Sequence, residues 1–181
     1  MTQNREHLPA ALRQIAWGYV FLLLNITLGM MDILPNWVGM LLFYKSLPVL
    51  SQWQPSARLL SPLAVLLGGY EGVCWLLALI GVSMPEIVSL LSAAVSLYFH
   101  YQLLTNLADL ADDLGLRQGK SLRVFRTINL LLTTCAALPL PWARIPLAAY
   151  LLLGVTLVLL IGLLRNLFSL RGEIASPPEP T

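Results

Sequence analysis

The stretch Gly18–Gly39 reads GYVFLLLNITLGMMDILPNWVG, and its pattern decides the fold. Small and polar residues recur in its first part at steps of four and three, which is the spacing of one face of an α-helix. The stripe consists of Gly18, Leu22, Asn25, Gly29 and Asp32, of which only Leu22 is large and apolar. Pro35 then breaks the run, and a second apolar segment begins. A stripe of this kind on an otherwise apolar helix predicts a polytopic membrane protein whose helices pack along a polar seam.

The composition of the whole chain supports this class of protein. The 181 residues are 57% hydrophobic and only 11% charged, with a mean hydropathy of +0.75. A soluble domain of ordinary composition has about 25% charged residues. Because so few charges cannot cover a surface that faces water, most of the surface must face lipid, and the length suits one domain.

Six apolar segments follow a polar N-terminal segment at residues 1–11. They cover residues 12–31, 33–50, 59–81, 86–107, 124–140 and 145–165. A spanning helix needs about 20 residues. We therefore predict an all-α fold, a six-span transmembrane helix bundle over residues 12–170, with a disordered tail at 171–181. The second segment is the weakest, because Lys45 interrupts it, and a re-entrant or interfacial helix is the alternative there.

The distribution of basic residues selects six spans. With both termini in the cytoplasm, ten of the eleven Lys and Arg residues lie on the inside and only Arg144 lies outside. This bias follows the positive-inside rule. Without the second span, the basic cluster from Arg117 to Arg126 would face outwards, so we predict that residues 33–50 cross the membrane.

The fourth segment is predicted to continue into water as an amphipathic helix through ADLADDLG. Leu107, Leu110, Ala111 and Leu114 continue its apolar stripe, while three aspartates lie on other faces. Gly115 and Gly119 are expected to end it.

Glu71 is the most informative polar residue within the predicted spans. It lies near the middle of the third span and shares a face with Gly68 and Gly72, which form a Gly-x-x-x-Gly pair. It should therefore be buried in a close helix contact, near polar groups of the first, fourth or fifth helix. Intramembrane ionisable residues often mark ligand or ion sites, whereas a hydrogen bond that only holds two helices together is the alternative.

Four other residues complete the candidate substrate- or ion-binding set: Asn25, Asp32, His100 and Thr133. Asn25 and Thr133 lie at a depth comparable to that of Glu71. His100 shares a small-residue stripe with Ser89, Ala93 and Ser96, and a hydrogen bond at a helix contact is the simpler interpretation of it. Asp32 is favoured as the N-cap of the second span, with Pro35 in its first turn.

The sequence contains no complete catalytic motif, so we predict that the protein is not an enzyme and has no cofactor or metal. The segment DLADDLGLR resembles half of the CDP-alcohol phosphatidyltransferase motif, with Asp109, Asp112 and Arg117 matching. The family's first glycine falls on Asp113, and its later glycine and two aspartates fall on Arg126, Leu130 and Thr134. Without those carboxylates the two metal ions of that family could not be held. The basic residues are spread over loops, which argues against nucleic-acid binding.

The first two segments contain L-N-x-x-x-G-x-x-D-I-L-P-x-x-x-G, from Leu24 to Gly39. This phrase resembles the opening of a group of small polytopic membrane proteins from Firmicutes-type bacteria. The resemblance implies a multi-pass protein of the bacterial cytoplasmic membrane and brings no activity with it.

Two classes of function remain open. One is a small transport or solute-binding membrane protein or subunit, similar in size and span count to the substrate-binding components of energy-coupling factor transporters. Their Ala-x-x-x-Ala signature is absent from the first span. The other is a structural or partner protein whose polar seam only packs helices. The expected partners are the lipid bilayer and either a small solute or other membrane subunits.

Overall fold

The computed structural model describes residues 6–23, 27–28, 31–32, 35–137 and 146–175. The helices are α1 (Leu8–Leu23), α2 (Asn36–Leu50), α3 (Leu60–Leu79), α4 (Glu86–Asp113), α5 (Gln118–Ala137) and α6 (Pro146–Ala175). A 3-10 helix, Pro55–Leu59, precedes α3. Two short strands, β1 (Thr27–Leu28) and β2 (Met31–Asp32), pair between α1 and α2. The fold is all-helical apart from this pair, as the sequence predicts.

The six helices form a closed ring. Each packs against the next along the chain, and α1 packs against α6. One cluster of buried residues joins the N-terminal parts of α1, α3 and α5 to the C-terminal parts of α2, α4 and α6. Consecutive helices therefore run antiparallel.

The two ends of the bundle differ in packing. Large side chains such as Phe43, Leu103 and Leu167 are fully buried at the end where this cluster lies, which we call the packed end. At the opposite end, the open end, the described residues of α3 after Leu67, of α4 before Phe99 and of α6 before Leu160 include none that is fully buried.

The apolar surface at the open end is typical of a protein in contact with lipid. Ile87, Leu91 and Val158 are 73%, 68% and 69% exposed. Soluble monomers rarely expose large contiguous apolar surfaces. Three stretches of helix are long and apolar enough to cross a membrane: Pro55–Leu79, Glu86–Asp113 and Tyr150–Ala175.

Six spans were expected, but within the described residues only these three helices are long and apolar enough to cross a membrane. With 16 and 15 residues, α1 and α2 are about 24 and 23 Å long at ~1.5 Å per residue, shorter than a hydrocarbon core of about 30 Å. In α5, Lys120, Arg123 and Arg126 lower the hydropathy of the first half.

The predicted continuous helix over residues 12–31 is wrong. Helix α1 ends at Leu23, and Thr27 pairs with Asp32 across an antiparallel two-residue ladder. Asp32 is therefore not the N-cap of the second helix. That helix starts at Asn36, with Pro35 at the cap position and no side-chain capping bond. Because proline fixes φ and has no N–H to leave unpaired, it starts the helix without help from Asp32.

Both predicted terminal boundaries also shift. Leu8 is fully buried and Ala11 is 2% exposed, so the polar segment 1–11 overlaps the first helix. At the other terminus, α6 continues to Ala175 within the predicted tail, and Ile174 is 5% exposed. In each case buried residues continue at helical spacing beyond the predicted boundary. In α6 they are Leu163, Leu167, Leu170 and Ile174. The rest of the tail, 176–181, lies outside the described residues.

The turn between α4 and α5 confirms the amphipathic extension of the fourth helix. The Leu116 N–H donates to the Ala111 carbonyl and the Gly115 N–H to the Asp112 carbonyl, at 2.8 and 2.9 Å. Gly115 has φ +69°, so this is a Schellman motif in which glycine takes the left-handed position. Gly119 does not end α4 but lies in the first turn of α5.

Candidate solute-binding site

A central cavity of about 370 Å³ lies inside the ring, and all six helices line it. Its volume is within the range of small-molecule sites, roughly 300–1,000 Å³. Eight polar or titratable residues line it: Tyr19, Asn36, Glu71, Ser96, His100, Asn129, Thr133 and Thr156. The apolar part of the lining is Leu22, Phe125, Leu132, Leu159, Leu160 and Leu163.

Close packing of α1, α2 and α3 sets one wall of this cavity. A Cβ atom at Gly39 would lie 2.8 Å from the Gly18 carbonyl oxygen, so only glycine allows these two backbones to approach so closely. On the other side of α2, a Cβ atom at Gly68 would lie 3.3 Å from the Met40 Cβ atom. The Gly-x-x-x-Gly face of α3 therefore contacts α2, as small residues at helix interfaces allow.

The side chain of Glu71, on α3, is hydrogen-bonded to the first residue of α2. The Asn36 Nδ2 group donates a hydrogen bond to Glu71 Oε2 at 3.2 Å. Glu71 is partly exposed and not fully buried, and this partner lies on the second helix, not on the first, fourth or fifth. Groups from those three helices still share its cavity, through Tyr19, His100 and Thr133.

An aromatic cluster supports the side of the cavity that faces the packed end. The Tyr19 and Phe99 rings lie 5.5 and 5.2 Å from the His100 ring, centroid to centroid. The Phe43 ring contacts all three, at 5.1 to 5.8 Å. A Cβ atom at Gly18 would lie 2.7 Å from the Phe43 ring, so this glycine makes room for Phe43. Edge-on aromatic contacts of this kind hold His100 in place on both sides.

Three buried polar atoms of the cavity residues have no hydrogen-bond partner within the part of the chain that the structure describes. They are the Tyr19 hydroxyl, Asn36 Oδ1 and His100 Nδ1. Buried polar groups are nearly always hydrogen-bonded, and each unpaired one costs about 1–3 kcal/mol. All three residues line this one cavity.

The charge of the cavity is one-sided. Among its described lining residues, Glu71 is the only carboxylate and none is Lys or Arg. The nearby Arg126 is directed elsewhere. Its guanidinium lies 4.7 Å from the centroid of the Tyr101 ring, and its Nη1 donates to Thr105 Oγ1 at 2.9 Å.

Of the five candidate residues proposed from the sequence, the structure brings three into this cavity: Glu71, His100 and Thr133. For His100, the three ring contacts replace the expected helix-contact hydrogen bond at Nδ1. Asn25 lies outside the described residues. Asp32 lies in β2, and its side chain is likewise outside the described part.

Sequence reasoning missed Tyr19, Asn36, Asn129 and Thr156 as lining residues. A signal existed for Asn129, which lies one helical turn before Thr133 and therefore on the same face of α5. Tyr19 is adjacent to Gly18 on a face that the stripe analysis treated as apolar. Asn36 directly follows Pro35 at the predicted start of the second helix, and the pattern contains no signal that distinguishes it.

The acidic residues at the end of α4 are engaged in ion pairs. Arg123 Nη2 lies 3.0 Å from Asp109 Oδ1 and 2.6 Å from Asp112 Oδ2. Within the described ranges, no group of three or more His, Cys, Asp or Glu residues is placed to hold a metal ion. A second, shallower cavity of about 190 Å³ lies beside the start of α5, lined by Arg117, Gln118, Arg165, Asn166 and Ser169.

Comparison of this chain with known protein families, with curated proteins and with solved structures gave no match. The site is therefore interpreted from its own geometry.

Proposed function

We propose that this protein is a multi-pass protein of the bacterial cytoplasmic membrane that binds a small solute in its central cavity, without catalysis. It would act as a small transporter or as the solute-binding subunit of a transport complex. The observation that carries the proposal is the cavity itself, because residues of all six helices line it around one carboxylate and three unpaired polar atoms.

The proposal includes six membrane crossings with both termini in the cytoplasm. Helices α1, α2 and α5 complete the same ring as the three long apolar helices. Because consecutive helices are antiparallel, Arg13, Arg58 and Arg117 all lie towards the packed end, and the turn 80–85 at the open end contains no basic residue. This asymmetry supports a cytoplasmic packed end.

Cysteine labelling tests this topology. In a chain whose Cys74 and Cys135 are replaced by serine, an impermeant maleimide applied to intact cells should label a Ser83→Cys variant and not a Gln52→Cys variant. Labelling of Gln52→Cys from outside, in cells shown to be intact, would overturn the orientation.

A packing role is the second candidate, and one observation favours it. The bond between Asn36 and Glu71 links α2 to α3 next to their small-residue contact. On that view, Glu71 would only hold the two helices together, and the cavity would be incidental.

A Glu71→Gln variant separates the two functions, since the amide keeps the size of the side chain and removes its charge. The wild-type protein and the variant would be purified in a non-ionic detergent, and their unfolding temperatures measured with a panel of neutral, anionic and cationic small molecules. We expect at least one molecule to raise the unfolding temperature of the wild type and to fail with Glu71→Gln, at unchanged expression.

The matched control is Glu86→Gln, which removes a carboxylate from an exposed position at the start of α4. It should leave the ligand-induced shift intact. If Glu71→Gln lowers stability while no molecule of the panel shifts either protein, the packing role is correct and solute binding is wrong.

A further inference from the structure

We propose that the solute carries a protonated amine that binds between Glu71, Asn36 and Tyr19, so that the ligand is a small amphipathic organic cation. This inference rests on the proposed function and specifies the chemical class of its ligand.

The orientation of the Asn36 amide leaves its oxygen as a hydrogen-bond acceptor without a donor among the described residues. The Asn36 Nδ2 group donates the hydrogen bond to Glu71 Oε2. The other amide atom, Oδ1, is then fixed as an acceptor, and it is buried without a partner among the described residues. A carboxylate and an amide oxygen held together in this way present acceptors, not donors, to a ligand.

The Tyr19 hydroxyl provides a third acceptor. Tyr19 is only 4% exposed, lines the same cavity and has its hydroxyl unpaired within the described ranges. An ammonium group has three N–H donors and no acceptor, which matches a carboxylate, an amide oxygen and a hydroxyl oxygen. Tyr19 and Phe125 are also among the lining residues, and aromatic rings attract cations.

The described lining favours a cation over an anion. A bound anion would meet the Glu71 carboxylate and no Lys or Arg side chain among the described lining residues. Like charges brought together away from water are strongly unfavourable, whereas a cation neutralises the carboxylate.

The size and the apolar lining argue for an organic cation and against a bare metal ion. A volume of about 370 Å³ far exceeds that of a single ion. Leu132, Leu159 and Leu160 line part of it, and leucine side chains offer no ligands to a metal but pack well against a hydrocarbon body. We therefore place an ammonium head at Glu71 and an apolar body against α5 and α6.

Three probes of nearly the same shape test the charge class: phenethylamine, 2-phenylethanol and phenylacetate. Each is titrated into the full-length protein in a non-ionic detergent at pH 7, with thermal unfolding and calorimetry as readouts. We expect phenethylamine to bind at least tenfold more tightly than 2-phenylethanol, phenylacetate not to bind, and the preference for the amine to disappear in Glu71→Gln but not in Glu86→Gln.

The outcomes separate this inference from the proposed function. Equal binding of amine and alcohol, or tighter binding of phenylacetate, overturns the amine and leaves a solute site in place. The same protection by sodium chloride alone assigns the cavity to an inorganic cation and also overturns it. Binding of none of the probes rejects the amine, and the wider panel then decides whether any solute binds.

A Tyr19→Phe variant gives a test that does not depend on a folding defect. Removing an unpaired buried hydroxyl should leave the ligand-free protein as stable as the wild type or more stable. The same change should weaken phenethylamine binding several-fold if the hydroxyl serves the ligand. Unchanged amine affinity in Tyr19→Phe would overturn the role given to Tyr19, and unchanged affinity in Asn36→Leu as well would overturn the site.

Discussion

The packed end and the open end of this bundle are built from the same helices but differ in how closely their side chains pack. At the packed end, α4 contributes Phe99, Leu103 and Leu107, each fully buried. His100 directly follows Phe99 and lines the central cavity with Ser96, whereas Leu91, about two turns before Phe99, is 68% exposed. One helix therefore supplies core residues at the packed end, part of the cavity wall next to them, and exposed apolar residues at the open end.

Buried polar atoms without a partner among the described residues occur around the cavity and also away from it, at Trp53, Asn106, Gln118 and Arg126. Unpaired polar atoms reduce stability, and here three of them surround a cavity that lies beside a well-packed aromatic cluster. Binding sites commonly use groups that are suboptimal for folding, and a rigid neighbouring core compensates for them. The following predictions test whether stability and binding are divided between the two ends.

The largest expected effect comes from shortening a core leucine. Leu103→Ala leaves a hole in the packed end and should lower the free energy of unfolding by about 2–5 kcal/mol. Leu91→Ala makes the same change in the same helix at an exposed position, and should cost less than about 0.5 kcal/mol. Unfolding by SDS titration of both variants measures the difference, and equal losses would show that the ends do not differ in packing.

The next effect concerns the close contact of α1 and α2. Gly39→Ala places a methyl group 2.8 Å from the Gly18 carbonyl oxygen, and overpacking of this kind costs about 1–3 kcal/mol. Gly69→Ala meets no atom within 4 Å and should be neutral or stabilising, because alanine is the better helix former. The unfolding temperatures of the Gly39→Ala and Gly69→Ala variants measure this difference in stability. A stable Gly39→Ala protein would contradict the close contact.

Removing one hydroxyl at each end gives a smaller contrast. At the packed end, Ser56 Oγ donates to Oδ1 of Asn106, which is 1% exposed, at 2.7 Å. At the open end, the Tyr70 hydroxyl donates to Ser89 Oγ at 3.1 Å. Ser56→Ala should cost about 1 kcal/mol and Ser89→Ala less, since hydrogen bonds to buried partners are the more costly to lose. Equal losses in SDS titrations would weaken the comparison.

The smallest effect is expected at the ion pairs of Arg123 with Asp109 and Asp112. Hydrogen bonding to Asp109, with the charge of Asp112, raises the pKa of Arg123, so this residue stays charged across the whole pH range in which the protein would be studied. All three side chains are well exposed, and exposed ion pairs contribute little. Arg123→Gln should shift the unfolding temperature less than Gly39→Ala does. The shift should vanish in about 1 M salt, where charges are screened within about 3 Å.

Hydropathy and periodicity predicted the order and number of the helices, because burial in lipid or in a core follows from side-chain type. The long extension of α4 and its end at Gly115 followed from the stripe of Leu107, Leu110 and Ala111 and from the need for a left-handed residue. The pair of short strands between α1 and α2 was not predicted. The helical spacing of the stripe continues through Gly29 in the sequence, so it predicted one helix where Thr27–Leu28 pairs with Met31–Asp32.

The candidate site was only partly predictable. Glu71, His100 and Thr133 were found because polar residues are rare in apolar segments. Asn36 and Tyr19 could not be identified, because their place in the cavity depends on which helices pack together. That packing depends on close contacts such as the one between Gly39 and the Gly18 carbonyl, and a single sequence does not contain that pairing.

Helix α4 joins the two ends of the bundle without a break. Of the six described helices it alone contains neither glycine nor proline, and its 28 residues make a rod of about 42 Å at ~1.5 Å per residue, longer than the hydrocarbon core is thick. Because kinks in helices usually occur at proline or glycine, this composition favours one continuous helix from the cavity residues Ser96 and His100 to the ion pairs of Arg123 with Asp109 and Asp112.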